Sequence, residues 1–201
     1  RQAEKLARKL VEKGVRVTLL TPRLVKTSPL YEEDGGVQIH RFPLLNIQNL
    51  LPNIRGYGPL NLLLLGLQIY YAVQKRLDGI DVVHTHIASF QSAFSMMAAH
   101  RKKVPVICKV ASIDKRADLG EIRKNSVFGM VIFRKMIQDI DRWIDTTRAV
   151  RNSLETYGVG PSKIVDIPNG VALPEIHPAE ENYRKIASFL YLGRLSTNSA
   201  R

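Results

Sequence analysis

"DVVHTHIASFQSAFSMMAAHRKKVPVICKV", residues 81–110, holds the reading that decides the fold. Its opening "DVVHTHI" at 81–87 is a short apolar run of the kind found in buried strands. A helix is predicted from about 89 to 102, and "VPVICKV" is a second buried strand. Two strands joined through a helix are most simply read as a right-handed crossover within a parallel sheet.

The same alternation extends to both sides. Upstream, Ala3, Leu6, Ala7, Leu10 and Val11 recur at helical spacing, and Gly14 stops that helix. "VRVTLL" at 15–20 reads as a strand ended by Pro22; "YEEDGG" is a turn signal; and "VQIHRF" alternates as a second strand before Pro43. Downstream, a helical region runs from about 119 to 141, followed by the strand "RWIDTT". "RAVRNSLETYG" is a helix stopped by Gly158, and "KIVDIP" a further strand. The expectation is an α/β fold: a Rossmann-like parallel sheet with helices on both faces. No internal repeat or low-complexity stretch interrupts it.

One helix needs separate treatment. "LNLLLLGLQIYYAVQKRL" at 60–77 is almost wholly apolar in its first half, yet falls short of the roughly 20 apolar residues a membrane span needs. Gln68 interrupts the run and "QKRLDG" follows. It is read as a buried domain helix, with a helix lying in a membrane interface as the alternative.

Composition limits the partners. Of 201 residues 45% are hydrophobic, enough for a full core, and the formal charge is +12 with a pI near 10.0. That excess favours an anionic partner: a phosphorylated small molecule, an acidic lipid surface or nucleic acid. Basic residues are densest between 100 and 151, where an anion-attracting field competes with a simple solvated face. A nucleic-acid module is disfavoured, because no RRM aromatic signature, zinc-finger spacing or GXXG loop occurs. The single Cys108 excludes an intrachain disulfide and suits a reducing cytoplasm. The opening "RQAEKLARKL" is charged and helical without an initiator Met, so the chain is expected to start inside a domain and to carry no signal peptide.

In parallel α/β sheets ligands bind at the carboxyl ends of the strands. The residues there are Thr21, His84 to Ser89, Lys109 to Asp114, Thr147 and Arg148, and Asn169 and Gly170. They include His, Lys and Arg but no carboxylate pair and no Ser–His–Asp arrangement. His84 and His86 are expected on opposite faces of their strand, without a nearby Cys or Glu, so no metal site is assigned. Finally, "SFLYLGRLSTNSAR" at 188–201 reads as a short strand running into Gly193 and Arg194. A glycine followed by a guanidinium lets backbone approach a diphosphate beside a fixed positive fork.

"DVVHTHIAS", "YGVGPSKIVDIPNGV" and "FLYLGRLS", in that order and spacing, resemble glycosyltransferase family 4, whose members have the GT-B fold. The resemblance covers essentially the whole chain. It implies an acceptor-side domain over 1–170 that lacks its first strand and Gly-Gly loop. Residues 171–201 would then be the linker and first strand of a nucleotide-sugar domain, so that the fold is truncated at both ends. By resemblance His86 reaches the transferred sugar, Gly193 and Arg194 clamp the donor diphosphate, and Asn169 and Gly170 mark the interdomain crossing. Lys109, Ser112 and Asp114 are acceptor-side candidates. Two departures stand out: Ser199 and Ala200 occupy positions where the family has Lys and Gly, and the fourth strand leads into "KVASIDKRADLGEIRK" rather than a His- or Gly-rich loop.

The implied activity is retaining transfer from a UDP- or GDP-type sugar to a saccharide or lipid-linked acceptor in cell-envelope or exopolysaccharide synthesis. It needs no metal and no cofactor. The setting would be cytoplasmic, peripheral to the inner face of the cell membrane, with no nucleic-acid partner. The competing reading is a non-catalytic basic Rossmann-like module that docks on anionic membrane or nucleic acid.

Overall fold

In the computed structural model, residues 2–45, 58–110, 119–120, 122 and 129–170 are described. The elements in chain order are α1 (Gln2–Glu12), β1 (Val17–Arg23), β2 (Tyr31–Asp34), β3 (Val37–Pro43), α2 (Gly58–Gln74) and β4 (Val83–Thr85). They continue with α3 (Phe90–Arg101), β5 (Val106–Lys109), α4 (Gly129–Asp139), β6 (Arg142–Asp145), α5 (Arg148–Thr156) and β7 (Ile164–Asp166). Residues up to Asn169 form one compact unit and those from Gly170 a second.

The strands β4, β5, β6 and β7 lie side by side in that order, all parallel and flanked by helices. This is the α/β arrangement expected from the alternation of elements. In β5 the side chains of Val106 and Cys108 are buried, and β6 contributes Trp143, Ile144 and Asp145. Around them pack Met96 of α3, Met136 of α4 and Leu154 of α5, all essentially without exposure. The helices present short apolar stripes to this layer: Phe133 and Met136 on α4, Val150 and Leu154 on α5. Tyr157, at the carboxyl end of α5, meets Phe133 in the middle of α4 edge-on with ring centres 5.4 Å apart.

Two expectations for the amino-terminal half are corrected. First, "YEEDGG" is more than a turn: Tyr31–Asp34 is a strand antiparallel to β3, with Asp34 opposite Val37. Gly35 and Gly36 carry φ of 56° and 76°, the positive pair that a two-residue mirror-image hairpin requires. The sheet β1–β3–β2 is therefore mixed, with only β1 and β3 parallel, and its strands are not hydrogen-bonded to the four-stranded sheet among the described residues. Second, Pro22 does not end β1, but pairs in register with Phe42. A missing N–H is tolerated where a strand has an open side, and β1 hydrogen-bonds only β3 among the described residues.

Helix α2 packs along α3. Gly66 allows the close approach, since a Cβ there would lie 2.5 Å from the Phe94 ring. Gln74 Nε2 donates to Ala98 O at 2.9 Å, and Lys102 Nζ lies 2.6 Å from Asp78 Oδ1. Burial of α2 is one-sided: Gly66, Ile69, Ala72 and Val73 face the protein. The reading of a buried domain helix holds for that face, while Leu60, Leu63, Leu67 and Tyr71 on the other are exposed.

Candidate functional site at the carboxyl end of the parallel sheet

Strand β4 is short and ends at Thr85, whose buried hydroxyl donates to Ile107 O at 3.3 Å and ties β4 to β5. Past it the chain bends through His86 and Ile87 into α3. Ser89 caps that helix, its Oγ accepting from Ser92 N at 3.4 Å, while Ser92 Oγ donates back to Ile87 O. This pair of serines fixes the bend and holds His86 ahead of the helix N-terminus.

The rings of His84 and His86 lie 6.0 Å apart. The expectation that they point to opposite faces is wrong, because a strand's side-chain period of two puts positions i and i+2 on the same side. His84 is surface-accessible and His86 half-buried. Both imidazoles are held below the ordinary histidine range. For His84 the causes are desolvation by surrounding protein, then the neighbouring His86 and Lys109; for His86 they are desolvation, then Lys109. Near neutral pH each neutral ring offers one N–H donor and one acceptor nitrogen.

Lys109 closes β5, the next strand, and Lys109 Nζ donates to Asn169 Oδ1 at 2.6 Å. Asn169 follows β7 through the exposed Ile167 and Pro168, a path fixed by Ile167 N donating to Asp145 O at 3.0 Å. One sheet edge thus brings His84, His86, Lys109 and Asn169 into a single polar group. Gly170 is the next residue; Ser112, Asp114, Gly193 and Arg194 lie outside the described residues.

Sequence reasoning missed Asp145, the last residue of β6. It is almost wholly buried, and its Oδ2 pairs with Arg151 Nε at 2.9 Å, while Oδ1 has no hydrogen-bond partner among the described residues. The signal was an acidic residue at the end of an apolar strand, followed six positions later by Arg one turn into the next helix. Thr147 caps that helix, its Oγ1 accepting from Val150 N at 3.3 Å, and leaves Arg148 exposed.

The arrangement suits recognition of hydroxyl-rich or anionic groups. Lys109 supplies positive charge, the imidazoles and Asn169 supply directed donors and acceptors, and the nearby Asp145 carboxylate is occupied by Arg151. Among the described residues no group of three His, Cys, Asp or Glu is placed to hold a metal ion.

Comparison with known proteins gives one family match. The model of "Glycosyltransferase Family 4" matches residues 1–174. No curated protein matches the chain in sequence. Among solved structures it is similar to the UDP-GlcNAc 2-epimerase from Neisseria meningitidis bound to UDP-GlcNAc, at 14% identity and TM-score 0.46, over 77% of this chain and 47% of that one. It is also similar to the UDP-N-acetylglucosamine 2-epimerase from Rickettsia bellii, at 15% identity and TM-score 0.42, over 77% and 45% of the two chains. The chain thus spans about half the length of these structures.

Proposed function

Because the chain belongs to glycosyltransferase family 4, we propose that it is the acceptor-side part of an enzyme that moves a sugar from a nucleotide-diphosphate donor to a saccharide or lipid-linked acceptor, with retention of anomeric configuration. The observation that carries this reading is the gathering of His84, His86, Lys109 and Asn169 at the carboxyl end of the parallel sheet. That is where open α/β sheets place their ligands.

The chemistry makes specific demands. The bond from the anomeric carbon to the diphosphate oxygen breaks, and negative charge grows on the departing nucleotide diphosphate. Fixed donors and cations aimed at that charge lower the barrier. In this reading Gly193 and Arg194 supply the diphosphate clamp, with no metal or cofactor invoked. His86 contacts the transferred sugar, where a neutral ring can accept from or donate to a hydroxyl. Lys109, Ser112 and Asp114 are taken as acceptor-side residues, and the Lys109–Asn169 bond holds the end of β5 to the segment that follows β7. The cell setting in this reading is cytoplasmic, in envelope or exopolysaccharide synthesis.

The test is a transfer assay on the full-length protein with UDP- and GDP-sugars, reading the glycosylated product by mass. Arg194→Ala is expected to cost about 3–4 kcal/mol of transition-state stabilisation, the usual loss for one charge-stabilising donor. His86→Ala is expected to slow transfer as well. Full activity in Arg194→Ala would place the clamp elsewhere. Absence of product with every nucleotide sugar, in a folded protein, would remove the transferase reading.

A further inference from the structure

Helix α2 has a second apolar face. At 100° per residue, its protein-facing positions Gly66, Ile69 and Val73 fall on one side. Opposite them stand Leu60, Leu63, Leu67 and Tyr71, which are 49%, 43%, 42% and 61% exposed. Residues Gly58–Gln74 contain no charged side chain, so nothing on the helix breaks this stripe. Leu45, itself exposed, widens it, because its backbone is held to the helix by two hydrogen bonds with Gln68, of 2.6 and 3.0 Å.

The surroundings of the stripe indicate its partner. Lys75 continues the same face one turn beyond Tyr71 and is exposed. The exposed Arg101, Lys102 and Lys103 come to that end of the helix pair, as the Lys102–Asp78 contact at 2.6 Å shows. Arg16 joins them, its Nη2 donating to Gly79 O at 2.7 Å. Against these cations the loop after α2 carries Asp78 and Asp81, the first already paired with Lys102. An uncharged Leu face with an aromatic hydroxyl near one end, and cations gathered beyond that end, are what a helix lying in a bilayer interface presents to acyl chains and to anionic headgroups. No helix among the described residues is long and apolar enough to cross a membrane, so a helix lying in the interface is the mode that fits.

We propose that the outward face of α2 docks this protein on a bilayer bearing anionic lipids, with Leu60, Leu63, Leu67 and Tyr71 entering the headgroup–acyl boundary and the Arg16, Lys75 and Arg101–Lys103 cluster on the headgroups. This does not depend on the transfer reaction. It differs from a purely electrostatic attachment, because apolar side chains provide the seat and charge provides the choice of lipid.

The test uses the full chain with vesicles of phosphatidylcholine alone or mixed with phosphatidylglycerol. Sedimentation is expected with the mixed vesicles, weakening as salt rises, since charges are screened over about 8 Å at physiological ionic strength. Leu63→Ser with Leu67→Ser is expected to weaken binding by about tenfold or more, given the apolar area withdrawn, while circular dichroism stays unchanged. Leu67→Trp gives a second readout independent of that variant. The native Trp143 is fully buried and serves as an unquenched reference, whereas the introduced indole is expected to be quenched by brominated lipid. Equal binding to both vesicle types, full binding by the double serine variant, or an unquenched indole would each overturn the proposal. So would a self-associated protein that the double serine variant renders monomeric, for a second copy would then own the face.

Discussion

Lys109 Nζ and Asn169 Oδ1 are 2.6 Å apart, which ties the end of β5 to the segment leaving β7 and keeps an ammonium beside two imidazoles. Lys109→Met removes that charge while keeping much of the side-chain bulk. The pKa values of both His84 and His86 are expected to rise, yet to stay below the ordinary range because desolvation remains. Titration of the histidine ring protons by NMR measures this. Unmoved values would show that the ammonium does not act on the rings.

The same two histidines make stability depend on pH. Their folded-state pKa values lie below the unfolded value, so as pH falls through about 6.5 the unfolded chain takes up protons that the folded chain resists. Stability is therefore expected to drop as pH is lowered through that region. His84→Gln with His86→Gln should flatten this part of the profile in urea unfolding. An equal drop in the double variant would assign the dependence to other groups.

Asp141 acts at the opposite end of the sheet. It accepts from Val106 N at 2.8 Å and contacts His100 Nε2 at 2.9 Å. Burial alone would raise its pKa, but the Val106 N–H and His100 with their hydrogen bonds, together with nearby charge from His100 and Lys163, hold it below the usual carboxylate range. Its contribution is thus present above the ordinary carboxylate pKa and is lost as pH falls through the lowered one. Asp141→Ala should cost about 1–3 kcal/mol by leaving the Val106 N–H without its acceptor. Urea unfolding near neutral pH and again in acid should show the cost shrinking in acid.

Arg151→Ala would leave the almost fully buried Asp145 carboxylate without its cation. Removing one member of a buried pair costs about 3–5 kcal/mol, and the partial exposure of Arg151 places the expected loss toward the lower end of that range. Arg151→Ala combined with Asp145→Asn should recover part of it. A double variant no more stable than Arg151→Ala alone would show that the stranded charge is not the source of the cost.

Gly66→Ala sets two effects against each other. Alanine favours a helix by up to about 1 kcal/mol, but its methyl would meet Phe94 at 2.5–2.7 Å. Overpacking a core contact typically costs about 1–3 kcal/mol, so net destabilisation is expected. Adding Phe94→Leu should relieve it, as a shift in melting temperature would show. A rise in melting temperature for Gly66→Ala alone would mean that α2 and α3 can separate freely.

The parallel sheet was legible because each of its strands is a short apolar run flanked by a helix with an apolar stripe. Strand β2 was hidden: "YEED" has no apolar alternation, and it is held by pairing with β3 and by two glycines that close the hairpin. The exposed face of α2 could not be separated from the buried one, because both are built from Leu and only the tertiary contact through Gly66 tells them apart. At the site, His86, Lys109 and Asn169 were found from their places at strand ends. The buried partnership of Asp145 with Arg151 was not, since it depends on how α5 lies against β6. That His84 and His86 come together is the i, i+2 spacing of a strand carried one residue past the end of β4.

Cys108 lies in the middle of the parallel sheet, opposite Thr85 on one neighbour and Trp143 on the other, with no exposure to solvent. As the chain's one thiol, it doubles as a clock for the sheet. An alkylating reagent can reach the sulfur only in the moments when β4 or β6 parts from β5, or a covering helix lifts away. When closing is faster than labelling, the rate of modification in plain buffer reads the free energy of that opening. The core then reports its own excursions without denaturant or an added probe.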